Sequence, residues 1–188
     1  LPFWWCRRSR FFFSTIGAKF GVKTNAYSYK TKYHKSGDKV EISDEDYEEG
    51  VKMIMIANKT LKRFGINKYM NLLARNWAQV KYSTHIYAVG AIISPGDKCS
   101  KGYVNKSKNE IVSGGTGYAV QLGIDNNKAV YVFDQNKDNW FRWSYTLLSF
   151  IKVEDVKIKT ENFAGIGTRE IKTNGIKAIQ EIYNNTFK

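Results

Sequence analysis

Apolar positions recur along the chain with two different periods, and each change of period marks an element. Ser43 stands as a helix N-cap ahead of Asp44, Glu45 and Asp46, carboxylates that suit the positive end of a helix dipole. Val51, Ile54, Met55, Ala57 and Leu61 then keep helical spacing until "FGINK" breaks the pattern at Gly65. Met70, Leu73, Trp77 and Val80 form one face of a second helix over residues 68–82, and "HIYAVGAII" (85–93) follows as a buried strand rich in β-branched and aromatic residues. The polar, lysine-rich stretch 94–110 reads as a mobile surface loop. A short strand (110–112), a glycine turn, a helix (117–126) and the strand "KAVYVFD" (128–134) make a βαβ unit, which calls for a parallel sheet and a right-handed crossover. "WFRWS" predicts a short strand on an edge or a flap, and "NFAGIGTREIKTNGIKAIQEIYNNTF" predicts a closing strand, glycine turn and amphipathic helix. The predicted fold is α/β: a single-domain, Rossmann-like three-layer fold with a mostly parallel central sheet.

Bulk properties narrow the class. With 188 residues, 43% of them hydrophobic, the chain supports one full core. No apolar run reaches the length of a membrane span, and "LPFWWCRRSR" has its apolar and basic parts in the wrong order for a secretory signal. Cys6 and Cys99 have no CxxC partner and no His pair nearby, so neither a metal site nor a disulfide framework is expected, and a reducing, cytoplasmic setting is. The formal charge of +13 attracts nucleotides or nucleic acid through its long-range field, although the lysines are spread along the chain as solvated loops would spread them.

The chemistry-bearing stretch is "IVSGGTGYAVQLGID" (111–125). At a strand-to-helix junction, backbone N–H groups and the helix dipole favour an anion. Gly114, Gly115 and Gly117 allow the close approach of a phosphate, and Ser113 and Thr116 add hydroxyls; a plain tight βα turn is the competing reading. "FAGIGTRE" repeats the form, with Gly165 and Gly167 ending a strand, Thr168 and Arg169 entering a helix, and the arginine suited to a phosphate. Asn76 and Gln79 share a helix face with Arg75 and either fix a loop or read a base or ribose. Asp134 ends its strand where a ribose-binding carboxylate would stand, or serves as a turn residue. No catalytic set, metal ligands or cofactor is expected. His34 and His85 form no triad, with His85 read as a packed or edge histidine, and "WFRW" (140–143) is the one compact basic-aromatic candidate for single-stranded DNA, with strand packing the plainer reading.

Together "ARNWAQV", "VSGGTGYAVQLGID", "VYVFDQ" and "NFAGIGTREI" resemble the SLOG superfamily. This Rossmann-like group includes DNA-processing protein A, the lysine-decarboxylase-like phosphoribohydrolases and nucleotide-sensing domains of defence systems. The likeness is nearest to small phage and bacterial members and covers residues 16–188. It implies binding of a phosphorylated nucleotide or ADP-ribose-type ligand, as sensor or sponge. Hydrolysis of nucleotides at an N-glycosidic or phosphate bond, and single-stranded DNA binding like that of DNA-processing protein A, are the alternatives. In the phosphoribohydrolase motif Ser113 replaces the proline, Tyr118 the threonine and Gln121 the assisting glutamate. A glutamine exchanges no proton near neutral pH, so the turn reads as built to bind rather than to cleave, while Glu110, Asp125 and Glu170 remain as acids for another route.

The resemblance fails over residues 1–15, where the family has a second glycine loop. A one-base shift of codons for Phe3 to Arg10 can encode Ser-Gly-Gly-Ala-Val-Gly-Ala-Asp, so this aberrant segment reads as a frameshifted copy of that loop, with weaker ligand binding and poorer solubility expected. The expected partners are a small-molecule nucleotide, with single-stranded DNA as the alternative, and a second copy of the chain through the apolar face of the 68–82 helix; no membrane is expected.

Overall fold

The computed structural model describes residues 9–31, 37–99 and 102–187, with Ser9 and Arg10 described by backbone alone. The chain runs α1 (Ser9–Lys19), β1 (Ala26–Ser28), β2 (Lys39–Glu41), α2 (Asp44–Leu61), a short 3-10 turn (Asn67–Tyr69) and α3 (Met70–Lys81). It continues through β3 (His85–Gly90), β4 (Ile92–Ile93), β5 (Ile111–Val112), α4 (Thr116–Asp125) and β6 (Ala129–Asp134). It closes with β7 (Asn139–Ser144), β8 (Ser149–Val153), β9 (Phe163–Gly167) and α5 (Thr173–Phe187).

The architecture is α/β: a five-stranded sheet, in the order β8-β7-β6-β3-β9, with helices on both faces. The period-2 alternation of the strands explains the two layers of core. Ile86, Ala88, Val130 and Val132 face α2, α3 and α4. Tyr87, Val89, Tyr131 and Phe133 turn the other way, toward α1 and α5. Helix α2 starts as its sequence requires, with the Ser43 hydroxyl accepting from the Asp46 N–H at 3.0 Å. Lys81, in the last turn of α3, reaches Asp46 at 2.9 Å and Glu49 at 2.7 Å, tying the end of one helix to the start of the other.

The sheet is mixed, which corrects the expectation of a mostly parallel one. Strands β6, β3 and β9 are parallel, while β7 and β8 add an antiparallel meander. The meander is local in origin: Asp138 and Leu148 adopt left-handed φ of 53° and 51°, closing two short reversals that a helical crossover would not need. "WFRWS" is therefore an inner strand, β7, flanked by β6 and β8. Its Trp140 and Trp143 are buried in the two opposite core layers.

The expected βαβ unit is also corrected. Strand β5 leaves the central sheet and pairs antiparallel with β4. The true parallel neighbours across α4 are β3 and β6. A bend after Gly90 separates β4 from β3, and the Asp134 carboxylate holds it by accepting the Ile92 N–H at 3.0 Å. The described part of the 94–110 loop is pinned as well, since the buried Asn105 amide donates to Ile93 O at 2.9 Å and to Asn109 O at 3.0 Å.

At the N-terminus, the segment read as aberrant divides. Residues 1–8 lie outside the described residues, whereas α1 carries Phe13 and Ile16 into the core against α5. Among the described residues no helix is long and apolar enough to cross a membrane.

Candidate functional site

Three strand ends converge on the last two residues of β3. Val89 O accepts the Thr168 N–H, which follows β9, at 3.0 Å, and Gly90 O accepts the Gln135 N–H, which follows β6, at 2.9 Å. The glycine turn lies directly above. A Cβ placed on Gly90 would stand 2.8 Å from a Val112 methyl and 3.8 Å from the Thr116 methyl. The structure thus brings Ser113, Gly114, Gly115, Thr116 and Gly117 to the carboxyl edge of the parallel strands, where open α/β sheets hold their ligands.

Each residue of the turn has a distinct role. Ser113 is half-buried and its N–H continues the β4–β5 pairing to Ala91 O at 2.9 Å. Gly114 takes a left-handed φ of 64°. Gly115 caps α4 with φ −63°, and nothing lies within 4 Å of where its Cβ would be. Gly117 is required by packing, because a Cβ there would stand 1.9 Å from Val112 O. Thr116 is buried beside it.

Arg63, not among the residues expected from the sequence, organises this turn from behind. Its guanidinium donates to Gly114 O and to Val112 O, both at 2.6 Å. It lies 5.1 Å from the centroid of the Tyr103 ring and 5.3 Å from that of Tyr118. The Tyr103 hydroxyl in turn accepts the Gly114 N–H at 3.0 Å, and Tyr118 donates to Asn58 Oδ1 at 2.6 Å. Burial weakens the guanidinium's hold on its proton and pushes both tyrosines above the usual phenol range, yet an arginine so far from neutrality stays cationic. Its Nε has no hydrogen-bond partner, and no carboxylate pairs with it among the described residues.

A positive charge thus sits uncompensated behind the turn. The peptide joining Gly114 to Gly115 is planar and trans, so fixing its carbonyl on Arg63 turns the Gly115 N–H to the opposite side. Among the described residues neither this N–H nor that of Thr116 finds an acceptor. The signal for Arg63 in the sequence was faint: one arginine between Lys59, Lys62 and Lys68.

The other expected residues fare differently. Asp134 is fully buried, and its second oxygen accepts the Asn136 and Lys137 N–H groups at 2.9 and 3.3 Å, so its carboxylate is occupied by the chain itself. At the second junction α5 begins only at Thr173, five residues later than the pattern implied. Thr168 instead makes a local turn, its hydroxyl accepting the Glu170 N–H at 3.2 Å, and Arg169 is exposed. Gln135 holds the intervening segment by accepting the Lys172 N–H at 2.6 Å and donating to Glu170 O at 3.2 Å. Gly165 is explained by α1: a Cβ there would meet the Phe13 ring at 2.4 Å. Gly167 is the last residue of β9. Asn76 is buried and Gln79 half-buried on α3; neither hydrogen-bonds to the turn. Gln121 is buried too, and its amide donates to Asp125 at 2.8 Å, a carboxyl whose proton affinity burial raises.

Two further features lie apart from the turn. His85 is stacked on Tyr87 and Tyr131 at 6.3 and 6.4 Å, and burial together with Lys159 and Arg142 lowers its proton affinity, as befits a packed histidine. A cleft of about 450 Å³, lined by Tyr29, Glu41, Ser43, Tyr47 and Asn71 among others, opens beside the start of α2. Arg63 follows the other end of that helix, about 27 Å away at 1.5 Å per residue. No group of three or more potential metal ligands occurs among the described residues. Comparison with protein-family models, with curated proteins and with solved structures finds no match in any of the three.

Proposed function

We propose that the protein binds the phosphate of a nucleotide at the 113–117 turn, within a Rossmann-like frame of the kind the SLOG resemblance implies. The observation that carries this reading is the half-buried, carboxylate-free Arg63 behind a turn whose Gly115 and Thr116 amides have no acceptor among the described residues. A cation drawn partly out of water without a counter-charge carries a desolvation cost, and a bound anion on the other side of the same peptide offsets it while accepting both amides. Binding is favoured over turnover because the groups around the turn are donors and phenols, and the nearest acid on α4, Asp125, is engaged by Gln121.

Calorimetry with adenine and guanine nucleotides and ADP-ribose derivatives, with chromatography of the recovered ligand, tests the proposal. Tight binding with intact ligand, lost in Arg63→Met, is the expected result. Turnover would reinstate a hydrolase, and binding of single-stranded DNA alone would replace the nucleotide.

A further inference from the structure

The amino end of the central sheet carries its own group of polar side chains, far from the glycine turn. His85 and Gly90 are the two ends of β3, about 16 Å apart at 3.3 Å per residue. His85 stacks on Tyr87 and Tyr131, whose rings lie 5.1 Å apart. Arg142 on β7 stands directly opposite Tyr131 in the ladder, with its guanidinium 5.8 Å from that ring's centroid. Lys159 comes from the segment between β8 and β9. Its backbone N–H donates to the Tyr87 hydroxyl at 3.3 Å, and the same hydroxyl donates to Lys157 O at 2.8 Å. The Ile158 N–H donates to Thr186 Oγ1 at 2.8 Å and pins the segment to α5 as well. An inner strand and a segment fastened on both sides thus present the two cations, whose side chains stay exposed.

The charge that acts on the His85 ring is of one sign. Burial, Lys159 and Arg142 together lower its proton affinity. Neither cation forms an ion pair with a carboxylate among the described residues. Lys128, next to the residue that pairs with His85 on β6, turns its ammonium to Lys81 O and Ser83 O, while Lys157 and Glu161 are exposed along the same segment as Lys159. The other titratable groups stacked on the ring are the Tyr87 and Tyr131 phenols. Nδ1 lies 3.1 Å from the Thr84 hydroxyl, and Nε2 has no hydrogen-bond partner among the described residues. Packing accounts for a stacked, neutral histidine. It does not account for two cations brought against that ring on fixed backbone, where each opposes protonation and no carboxylate answers them.

We propose that His85, Arg142 and Lys159 form a binding site for a small tetrahedral dianion, sulfate or a phosphate monoester. Such an ion takes paired N–H donors from the guanidinium, one from the ammonium and one from a protonated Nε2. Binding is therefore coupled to proton uptake by His85, and affinity falls as pH rises through the titration of the histidine in the bound form. The site is independent of the 113–117 turn.

The test uses the full chain. Its two histidines, His34 and His85, are followed separately by proton NMR through a pH titration, with His85→Gln assigning the signals. Sodium sulfate is the probe because it stays a dianion across the range, and sodium chloride at equal ionic strength is the reference. In sulfate the His85 midpoint rises in a saturable way and that of His34 does not move. Arg142→Met and Lys159→Met each weaken sulfate about tenfold. Both positions are exposed, and thermal unfolding followed by circular dichroism checks that the variants fold as the native protein does. Methyl phosphate binding more tightly than sulfate supports an ester ligand, and the reverse order supports the free ion. The same His85 midpoint in the two salts would overturn the site. So would a rise that His34 shares, or one that persists when Arg142→Met and Lys159→Met are combined.

Discussion

The two glycine junctions read alike in the sequence and do opposite things in the fold. At 113–117 the helix begins at once, Arg63 fills the space behind the carbonyls, and Gly117 is there because the helix passes within touching distance of Val112 O. At 165–169 the glycine makes room for a ring of α1, and the helix waits until Thr173. Glycine marks only that something comes close. What comes close, a backbone carbonyl or a neighbour's side chain, is written elsewhere in the chain, here at Val112 and Phe13.

The largest test of this contrast is Gly117→Ala. The added methyl meets backbone rather than a movable side chain, so a loss of about 3 kcal/mol or more is expected in urea unfolding, and native-like stability would dissolve the argument from close approach. Next, Arg63→Met leaves the Val112 and Gly114 carbonyls without their charged donor and costs about 2–3 kcal/mol, together with the phosphate affinity. Gly165→Ala costs about 2 kcal/mol through the Phe13 ring and leaves phosphate binding unchanged. Combined with Phe13→Ala its effect is less than additive, and a strictly additive double variant would show that the two residues do not meet. Smallest is Gly115→Ala: with φ −63° and open space the turn tolerates it, and reduced freedom of the unfolded chain gives a gain of about 0.5 kcal/mol.

Much of the fold was legible where the signal is local. Ser43 caps α2 as its neighbours announce, and α3 and β6 fall within two residues of their expected bounds. What escaped depends on distant partners. Strand β5 has the composition of a central strand, yet two residues paired to β4 are all it contributes. Within the described part of 94–110, the polar composition conceals one buried amide, Asn105, whose partners lie up to twelve residues away. Arg63 sits in what reads as a helix-breaking loop, and its partners are about fifty positions further along the chain. The glycines of the turn could be read; the cation behind them could not.

The contact of α1 with the end of the chain also sets a clock. Tyr183 donates to Phe13 O at 3.1 Å across 170 positions, and Phe20 stacks on the same tyrosine at 5.8 Å. At about 5–20 residues per second, a ribosome takes roughly ten to thirty seconds to travel from one to the other. For most of that interval the aromatic side of α1 has neither α5 nor β9 to cover it. The apolar side of α1 thus leaves the ribosome well before its cover, which makes this helix a natural client for whatever shields apolar segments during synthesis.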